Sequence, residues 1–336
     1  MTQWPDVAVV MPVLNEENYL EAAVLAILSQ DYEGPIQVVL ALGPSTDLTN
    51  EVAARICAGD SRVSSVQNPT GRTPEGLNAA LAATKQEIVV RVDAHSELSD
   101  GYIRLAVETL QRTGADNVGG IMGARGVTRF EKAVAAAMTS PLGVGSASFH
   151  TGGNEGPAET VYLGVFMRSA LERVGGYDPE FTRAQDWEMN HRIRETGGLV
   201  WFNPDLFVTY RPRSTVRKLA KQYFEYGSWR HEVMRRHPET RTRKSALRYY
   251  APPLAVVLIV LGKILGTIGL VMGNALIWGY VLPLGYLALT LLSSITLINR
   301  ARSGALWLPV VLTTMQLSWG VGFLTSRPKS SELLKT

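Results

Sequence analysis

Asp93 and His95 close the segment Glu87–Ser96, which reads EIVVRVDAHS. They follow a β-branched run and stand two residues apart, so in extended chain both side chains leave on the same side. A carboxylate and an imidazole placed this way can share one divalent cation, and such an ion can hold a diphosphate. The same residues also suit a plainer arrangement, an Asp capping the following turn beside a surface histidine.

The elements that would carry this pair can be read outward from it. Ile88, Val89, Val90 and Val92 form a buried strand. Upstream, Val7–Val10 is a short apolar strand closed by Pro12. Asn15–Glu16 opens a helix with apolar spacing through Leu20, Val24, Ile27 and Leu28. Ile36–Leu42 is a second strand, and Asp47 or Thr49 caps a helix through Val52 and Ile56. Val63–Gln67 is a third strand. The loop Asn68–Pro74 leads into a helix over Leu77, Ala80 and Leu81. Strand and helix alternate, which predicts a parallel sheet covered by helices on both faces. Ligands of such sheets bind at the carboxyl ends of the strands. Asn15, Ser45, Gly71 and Asp93 all follow strand ends and should converge on one crevice.

Further along, Gly143–Gly156 reads as a mobile loop near that crevice, and Thr160–Met167 as a strand. Gly175–Asp178 is a turn. Asp186–Thr196 is a polar, charged helix ended by Gly197-Gly198, with short strands at Val200–Phe202 and Phe207–Tyr210.

After Tyr250 the composition changes. Three apolar stretches follow, roughly Leu254–Met272, Ala275–Leu297 and Leu306–Leu324. Each is about long enough to cross a hydrocarbon core of ~30 Å. A buried helical hairpin is the alternative, but three such stretches in a row with almost no charge favour the membrane. Lys263 interrupts the first and is expected to face the bundle or a polar cavity. Between Arg211 and Arg248 twelve Lys/Arg face three Glu. Beside a membrane span this is the positive-inside pattern, with attraction to anionic headgroups, and it outweighs a nucleic-acid reading. No nucleic-acid partner is expected. Arg300 and Arg302 place the loop Asn299–Ser303 in the cytoplasm, and the uncharged Gly273–Asn274 turn outside. Met1–Asp6 is short and polar and reads as no secretory signal, so the soluble part is expected in the cytoplasm. The single cysteine, Cys57, excludes an intrachain disulfide.

Several segments stand in a familiar order: VVMPVLNEENYL, GLNAAL at Gly76, VDAH at Val92, GGYDPEF at Gly175, QDWEMNHRIRETGG at Gln185, and then the distal spans. The chain resembles the family 2 glycosyltransferases, and within them the succinoglycan glucosyltransferase branch. SPLGVGSASF, VYLGVF, YRPRSTVRKLAKQYFEYGSW and LSWGVGFL carry that closer likeness. The resemblance implies an α/β, GT-A (Rossmann-like, mostly parallel sheet) catalytic domain over 1–210. A basic amphipathic interfacial segment at 211–249, an all-α transmembrane region of about three helices at 250–326 and a tail at 327–336 would follow.

It also implies transfer of one sugar, with inversion, from a nucleotide-diphosphate donor, a UDP-sugar first, to a polyprenyl-linked acceptor at the cell membrane. The family's Asp-x-Asp metal motif is here Asp93-Ala94-His95, a site for Mn²⁺ or Mg²⁺; the imidazole tilts the preference toward Mn²⁺. The family's catalytic base falls on Asp186, with Glu188 two residues on as the runner-up. Pro12, Leu14, Glu16, Arg72, Asn78 and Asp93 match positions around the donor. Gln185, Trp187, Arg211 and Arg213 are candidates for the acceptor. The family's second loop usually reads Asp-Asp-Gly-Ser, but here Leu42-Gly43-Pro44-Ser45 lacks the carboxylate that reads the nucleobase. No Gln-x-x-Arg-Trp motif of processive synthases is present, which favours single-sugar transfer. A polyprenyl-phosphate monoglycosyltransferase and an inactive membrane scaffold or nucleotide-binding subunit are the competing readings.

Overall fold

The structure is a computed structural model and describes residues 4–145, 147–241 and 247–327. The chain forms two compact units: Met1–Gly123 with Ala147–Arg211, and Ala124–Ser146 with Pro212–Thr336.

The first unit begins with β1 (Val7–Val13), α1 (Leu20–Leu28), β2 (Ile36–Leu42), α2 (Thr49–Gly59), β3 (Val63–Gln67) and α3 (Thr73–Ala82). Next come β4 (Ile88–Arg91), β5 (Glu97–Leu98), α4 (Tyr102–Thr113) and β6 (Asn117–Ala124). The chain then leaves for the second unit through α5 (Arg129–Met138) and α6 (Pro141–Val144). It returns as α7 (Ser148–Thr151), β7 (Gly156–Pro157), β8 (Tyr162–Met167), α8 (Arg168–Arg173), α9 (Gln185–Glu195) and β9 (Val200–Tyr210). The stretch expected as one loop, Gly143–Gly156, thus holds part of α6, all of α7 and the start of β7; its Ser146 lies outside the described residues.

The sheet order is β3-β2-β1-β4-β8-β6-β9-β5, with β7 paired to β9. β3, β2, β1 and β4 are parallel; β8 runs antiparallel to both β4 and β6. Side chains of β1 alternate between two cores. Val7, Val9, Met11 and Val13 join Leu20, Val24 and Ile27 of α1 and Ile103 and Val107 of α4. Val10 faces the other way, with Leu77 of α3 and Met189 and Ile193 of α9.

β1 does not stop at Pro12. Pairing with β4 ends at Val10↔Arg91, while pairing with β2 continues to Val13↔Leu42. The Val10 carbonyl accepts from Val92 on the β4 side, and the Val13 carbonyl accepts from Gly43 on the β2 side. The N–H that Pro12 lacks would therefore point where no strand needs it. The first helix begins later than expected, at Leu20, because residues 16–19 form a turn in which the Glu16 carbonyl accepts from Tyr19 and Leu20. The two strands expected near residues 200 and 207 are one, β9.

In the second unit, α10 (Val216–Arg236) is a single amphipathic helix capped by the Thr215 hydroxyl. It is followed by α11 (Leu247–Met272), α12 (Val281–Ala301) and α13 (Leu308–Leu324). The stretches Tyr249–Met272 and Ala275–Leu324 are long and apolar enough to cross a membrane, by length and composition. The second is divided by the 3-10 turn Arg302–Trp307 into α12 and α13. On α11, Gly262, Gly266 and Gly269 lie against Ala275–Tyr280 and the start of α12, so that a Cβ at any of them would clash. Lys263, one position on, is turned about 100° away and is exposed. Of the two placements expected for it, the bundle interior is thus not the one observed. Within the basic segment, Arg243 and Lys244 lie outside the described residues, as do 328–336 of the tail.

Candidate active site

The loops at the carboxyl ends of β1 and β2 are stitched together. Asn15 N–H donates to Ser45 Oγ at 3.1 Å, Thr46 N–H to Asn15 Oδ1 at 2.8 Å, and Glu16 N–H to Thr49 Oγ1 at 2.7 Å. Asp47 accepts from the Thr49 hydroxyl and amide and from Glu17 N–H, and these bonds, the hydroxyl first, hold its carboxyl below the ordinary range. Asp47 is thus a loop-holding residue. A Cβ on Gly43 would lie 3.0 Å from Leu14 Cδ1 and 3.2 Å from Gly71 Cα. Three strand ends therefore meet, and Leu14, 39% exposed, presents its side chain there.

The same convergence brings in Asp93 and His95. Ala94 between them is buried in the core, while Asp93 and His95 are half-buried. The Asp93 carbonyl accepts from Ser96 N–H at 2.8 Å, so the turn after β4 is closed by main chain and the Asp93 side chain is not its cap. His95 Nδ1 lies 2.8 Å from Glu16 Oε1. A carboxylate only accepts, so the imidazole donates from Nδ1 and is oriented to ligate through Nε2, as metal-binding histidines commonly are. One carboxylate and one oriented imidazole fit a divalent ion whose remaining positions go to water and diphosphate oxygens.

Arg91, the last residue of β4, completes the arrangement. It is 2% exposed. Its Nε and Nη2 donate to Asp93 Oδ1 at 3.2 and 3.1 Å, and its Nη1 donates to Asp186 Oδ1. The guanidinium carbon sits 5.8 Å from the centre of the Tyr177 ring. One buried cation thus joins the two carboxylates singled out from the sequence, one of them 95 residues away in the chain. A strand that is otherwise aliphatic but carries one arginine just before its acidic end was the available signal. Removing one partner from a buried ion pair costs about 3–5 kcal/mol.

Asp186 lies in the first turn of α9, whose N-cap, Ala184, has φ +59°. Its carboxylate also accepts the main-chain N–H of Leu163, itself at φ +58°. With Asn15 at φ +56°, three non-glycine residues in the left-handed region flank the site. Such conformations are costly and persist where the surroundings impose them. Burial pushes the Asp186 carboxyl up to about 6; Arg91 pulls it down and Asp93 pushes it up again, so burial wins. Its side chain keeps 24% exposure, an open edge from which a proton can be taken.

Glu188 is placed differently. It is buried and held in a bidentate pair by Arg192, with Nε to Oε1 at 2.5 Å and Nη2 to Oε2 at 2.6 Å. Polar α9 is largely buried because its polar groups are paired: Asn190 with Asn117 and Thr160, and Trp187 stacked on His191 with ring centres 5.0 Å apart. Trp187 is thereby a packed residue, while Gln185 opens the helix half-buried.

Asn78 is engaged as well. Its Nδ2 donates to the Tyr177 carbonyl at 2.7 Å, and its Oδ1 accepts Tyr177 N–H at 2.8 Å. Gly176 packs here at φ +76°, where a Cβ would stand 2.8 Å from Asn78 Oδ1. The GGYDPEF turn is thereby fixed beneath Arg91. Arg72 stands at the N-cap of α3, ion-paired to Glu75. Pro12 lies in β1 opposite Ala41. Arg211 donates to Glu97 at 2.8 Å and stacks on Tyr19 at 5.4 Å; Arg213 is exposed in the second unit.

Comparison with known proteins places this geometry. Residues 8–175 match the family described as Glycosyl transferase family 2. The chain is 32% identical over 320 residues to the succinoglycan biosynthesis protein ExoA of Rhizobium meliloti (strain 1021), covering 94% of this chain and 93% of that one. It is 23% identical to a dolichyl N-acetyl-alpha-D-glucosaminyl phosphate 3-beta-D-2,3-diacetamido-2,3-dideoxy-beta-D-glucuronosyltransferase of Methanococcus voltae, over 66% of this chain and 72% of that one. Its fold is similar to that of the mannosyltransferase PcManGT from Pyrobaculum calidifontis, solved with GDP-Man and Mn²⁺. That likeness has a TM-score of 0.59 and 20% identity and covers 96% of this chain and 88% of that structure. With the family's residues matched over half the chain and a relative matched over nearly all of it, the chain belongs to the family 2 glycosyltransferases and is a GT-A enzyme similar to ExoA.

Proposed function

We propose that the enzyme is a multi-pass membrane protein with a cytoplasmic catalytic unit. It transfers a single sugar, with inversion, from a nucleotide-diphosphate sugar to a polyprenyl-diphosphate-linked saccharide in cell-surface polysaccharide synthesis. The observation that carries this is a carboxylate, Asp186, joined through the buried Arg91 to Asp93, two residues before a His95 that Glu16 orients. Asp93 and His95 would hold Mn²⁺ or Mg²⁺, which when bound would neutralise charge on the leaving diphosphate. Asp186 takes the proton of the acceptor hydroxyl as its oxygen bonds to the anomeric carbon. The bond from that carbon to the diphosphate breaks on the opposite face, and the nucleoside diphosphate leaves. A carboxyl raised to about 6 is a stronger base than an ordinary Asp yet still ionised at neutral pH. Similarity to ExoA over most of both chains supports a place in polysaccharide biosynthesis, similarity to the dolichyl-linked sugar transferase supports a polyprenyl-linked acceptor, and the apolar C-terminal stretches support anchoring.

Incubating the full chain with a panel of nucleotide sugars and membrane lipid extract should label a lipid-linked saccharide. Asp186→Asn should reduce that transfer by about 10²–10⁴-fold and retain donor binding by calorimetry. Labelling of bare polyprenyl phosphate instead would give the enzyme the monoglycosyltransferase reaction. No transfer and no donor hydrolysis with any sugar would leave a binding subunit.

A further inference from the structure

We propose that Arg91 is a positioning residue: it aims Asp186 at the acceptor by tying it to Asp93, so that the two ends of the reaction keep a fixed separation. The inference rests on the reading of Asp186 as the base. Arg91 touches neither donor nor acceptor in this assignment and acts through the carboxylates.

The geometry makes the guanidinium suited to this and a simpler cation unsuited. Its Nε and Nη2 edge meets Asp93, and its remaining arm, Nη1, meets Asp186. The planar fork fixes the angle between the two partners, which a lysine ammonium, a single point of charge on a flexible stem, does not. Each anchor is itself rigid. Arg91 is paired with Val10 in the parallel ladder of the central strands. Asp186 sits on α9, which Asn190 ties to Asn117 of β6 and to Thr160. The Tyr177 ring beside the guanidinium belongs to the turn that Asn78 clamps from α3. Beyond Arg91, the only bond that holds the Asp186 carboxylate among the described contacts is the Leu163 N–H. Without the arginine one side-chain rotation would be released at the point where proton transfer needs alignment.

The test is a double-mutant cycle on the full chain: Arg91→Lys, Asp186→Asn and the two together, with Arg91→Gln as a second variant. The kcat for transfer to lipid extract is measured with the sugar found active in the donor panel. Binding of UDP and GDP with Mn²⁺ is followed by calorimetry. Misplacing a catalytic group by about 1 Å costs on the order of 10²-fold, so Arg91→Lys should lower kcat by that order while the donor KM moves less than about threefold. In the Asp186→Asn background the same change should cost less than about threefold, because the group it aims is gone. Losses that multiply, or an Arg91→Lys enzyme within threefold of wild type, overturn the proposal. Loss of nucleotide binding in both Arg91→Lys and Arg91→Gln assigns the residue to folding and overturns it too. Asp186→Asn at the wild-type rate is a different failure: it removes the base itself, and the positioning role with it.

Discussion

Acid should inactivate this enzyme two pH units earlier than an ordinary aspartate base allows. Asp186 is pushed up to about 6 because burial outweighs the attraction of Arg91. A base works only when ionised, so activity is present above that value and lost as the pH falls through it. For a group at about 6, the ionised fraction falls from about 97% at pH 7.5 to about 9% at pH 5, close to a tenfold loss of rate. A carboxylate at the ordinary value of about 3.9 would lose only about 7% over the same range. The assay is kcat at saturating donor, acceptor lipid and Mn²⁺, which reports the substrate-bound enzyme. Acid also competes with metal binding in general, but a tenfold excess of Mn²⁺ overcomes that and does not restore an ionised Asp186. A kcat that stays flat to pH 5, or an acid limb that disappears with added Mn²⁺, would refute the reasoning.

Glu16→Gln removes the carboxylate that orients His95, and loss of such a partner typically weakens metal binding by about 10–100-fold; Mn²⁺ titration by electron paramagnetic resonance should show it, and an unchanged affinity would leave the 2.8 Å contact without a role. Asp93→Ala should abolish turnover, while His95→Asp should keep part of it and move the preference from Mn²⁺ toward Mg²⁺, since oxygen replaces nitrogen; full activity of Asp93→Ala in chelator-treated enzyme excludes the assigned site. Asn78→Ala strands both main-chain groups of Tyr177, each costing about 1–3 kcal/mol if left unpaired, and thermal melts should show a loss of roughly that size for each. A melt equal to wild type would mean that water replaces the amide.

The parallel half of the sheet was legible because its strands carry an uninterrupted apolar signal and its loops carry turn formers. β2 and β3 lie where the pattern places them, β4 does so to within a residue, β1 starts as expected but runs on through Pro12 to Val13, and Asn15, Ser45 and Gly71 do meet at the strand ends. What remained hidden depends on pairing across the chain. α9 reads as a polar helix, yet Glu188, Asn190 and His191 are buried: Glu188 and His191 pair one turn away with Arg192 and Trp187, while Asn190 depends on Asn117, 73 residues distant. Local polarity does not disclose distant partners. Two short strands were expected at Val200–Phe202 and Phe207–Tyr210, but β9 runs unbroken between them, through Pro204. Arg91 was visible as a charge in an aliphatic strand; its second carboxylate, Asp186, was legible only as a family position, since 95 residues separate the two.

The excursion of α5 and α6 has a consequence for how this protein can be cut. These helices are encoded between β6 and α7, in the middle of the sheet's own sequence, yet they pack within the C-terminal unit. Phe130 meets the Trp307 ring edge-on at 5.5 Å, Arg300 donates to the Thr139 carbonyl at 2.9 Å, and the Arg129 main chain presses on Gly304 so closely that a Cβ there would lie 2.3 Å from its carbonyl oxygen. A stop codon after Arg211 would keep every strand of the sheet and still strip α5 of the segment it packs against, Trp307 over Phe130 first. During synthesis those side chains must also wait for more than 160 residues to be added before Trp307 arrives. The catalytic unit therefore cannot be separated from the apolar C-terminal helices by shortening one end: a fragment without them would require replacing the internal segment Ala124–Ser146 as well.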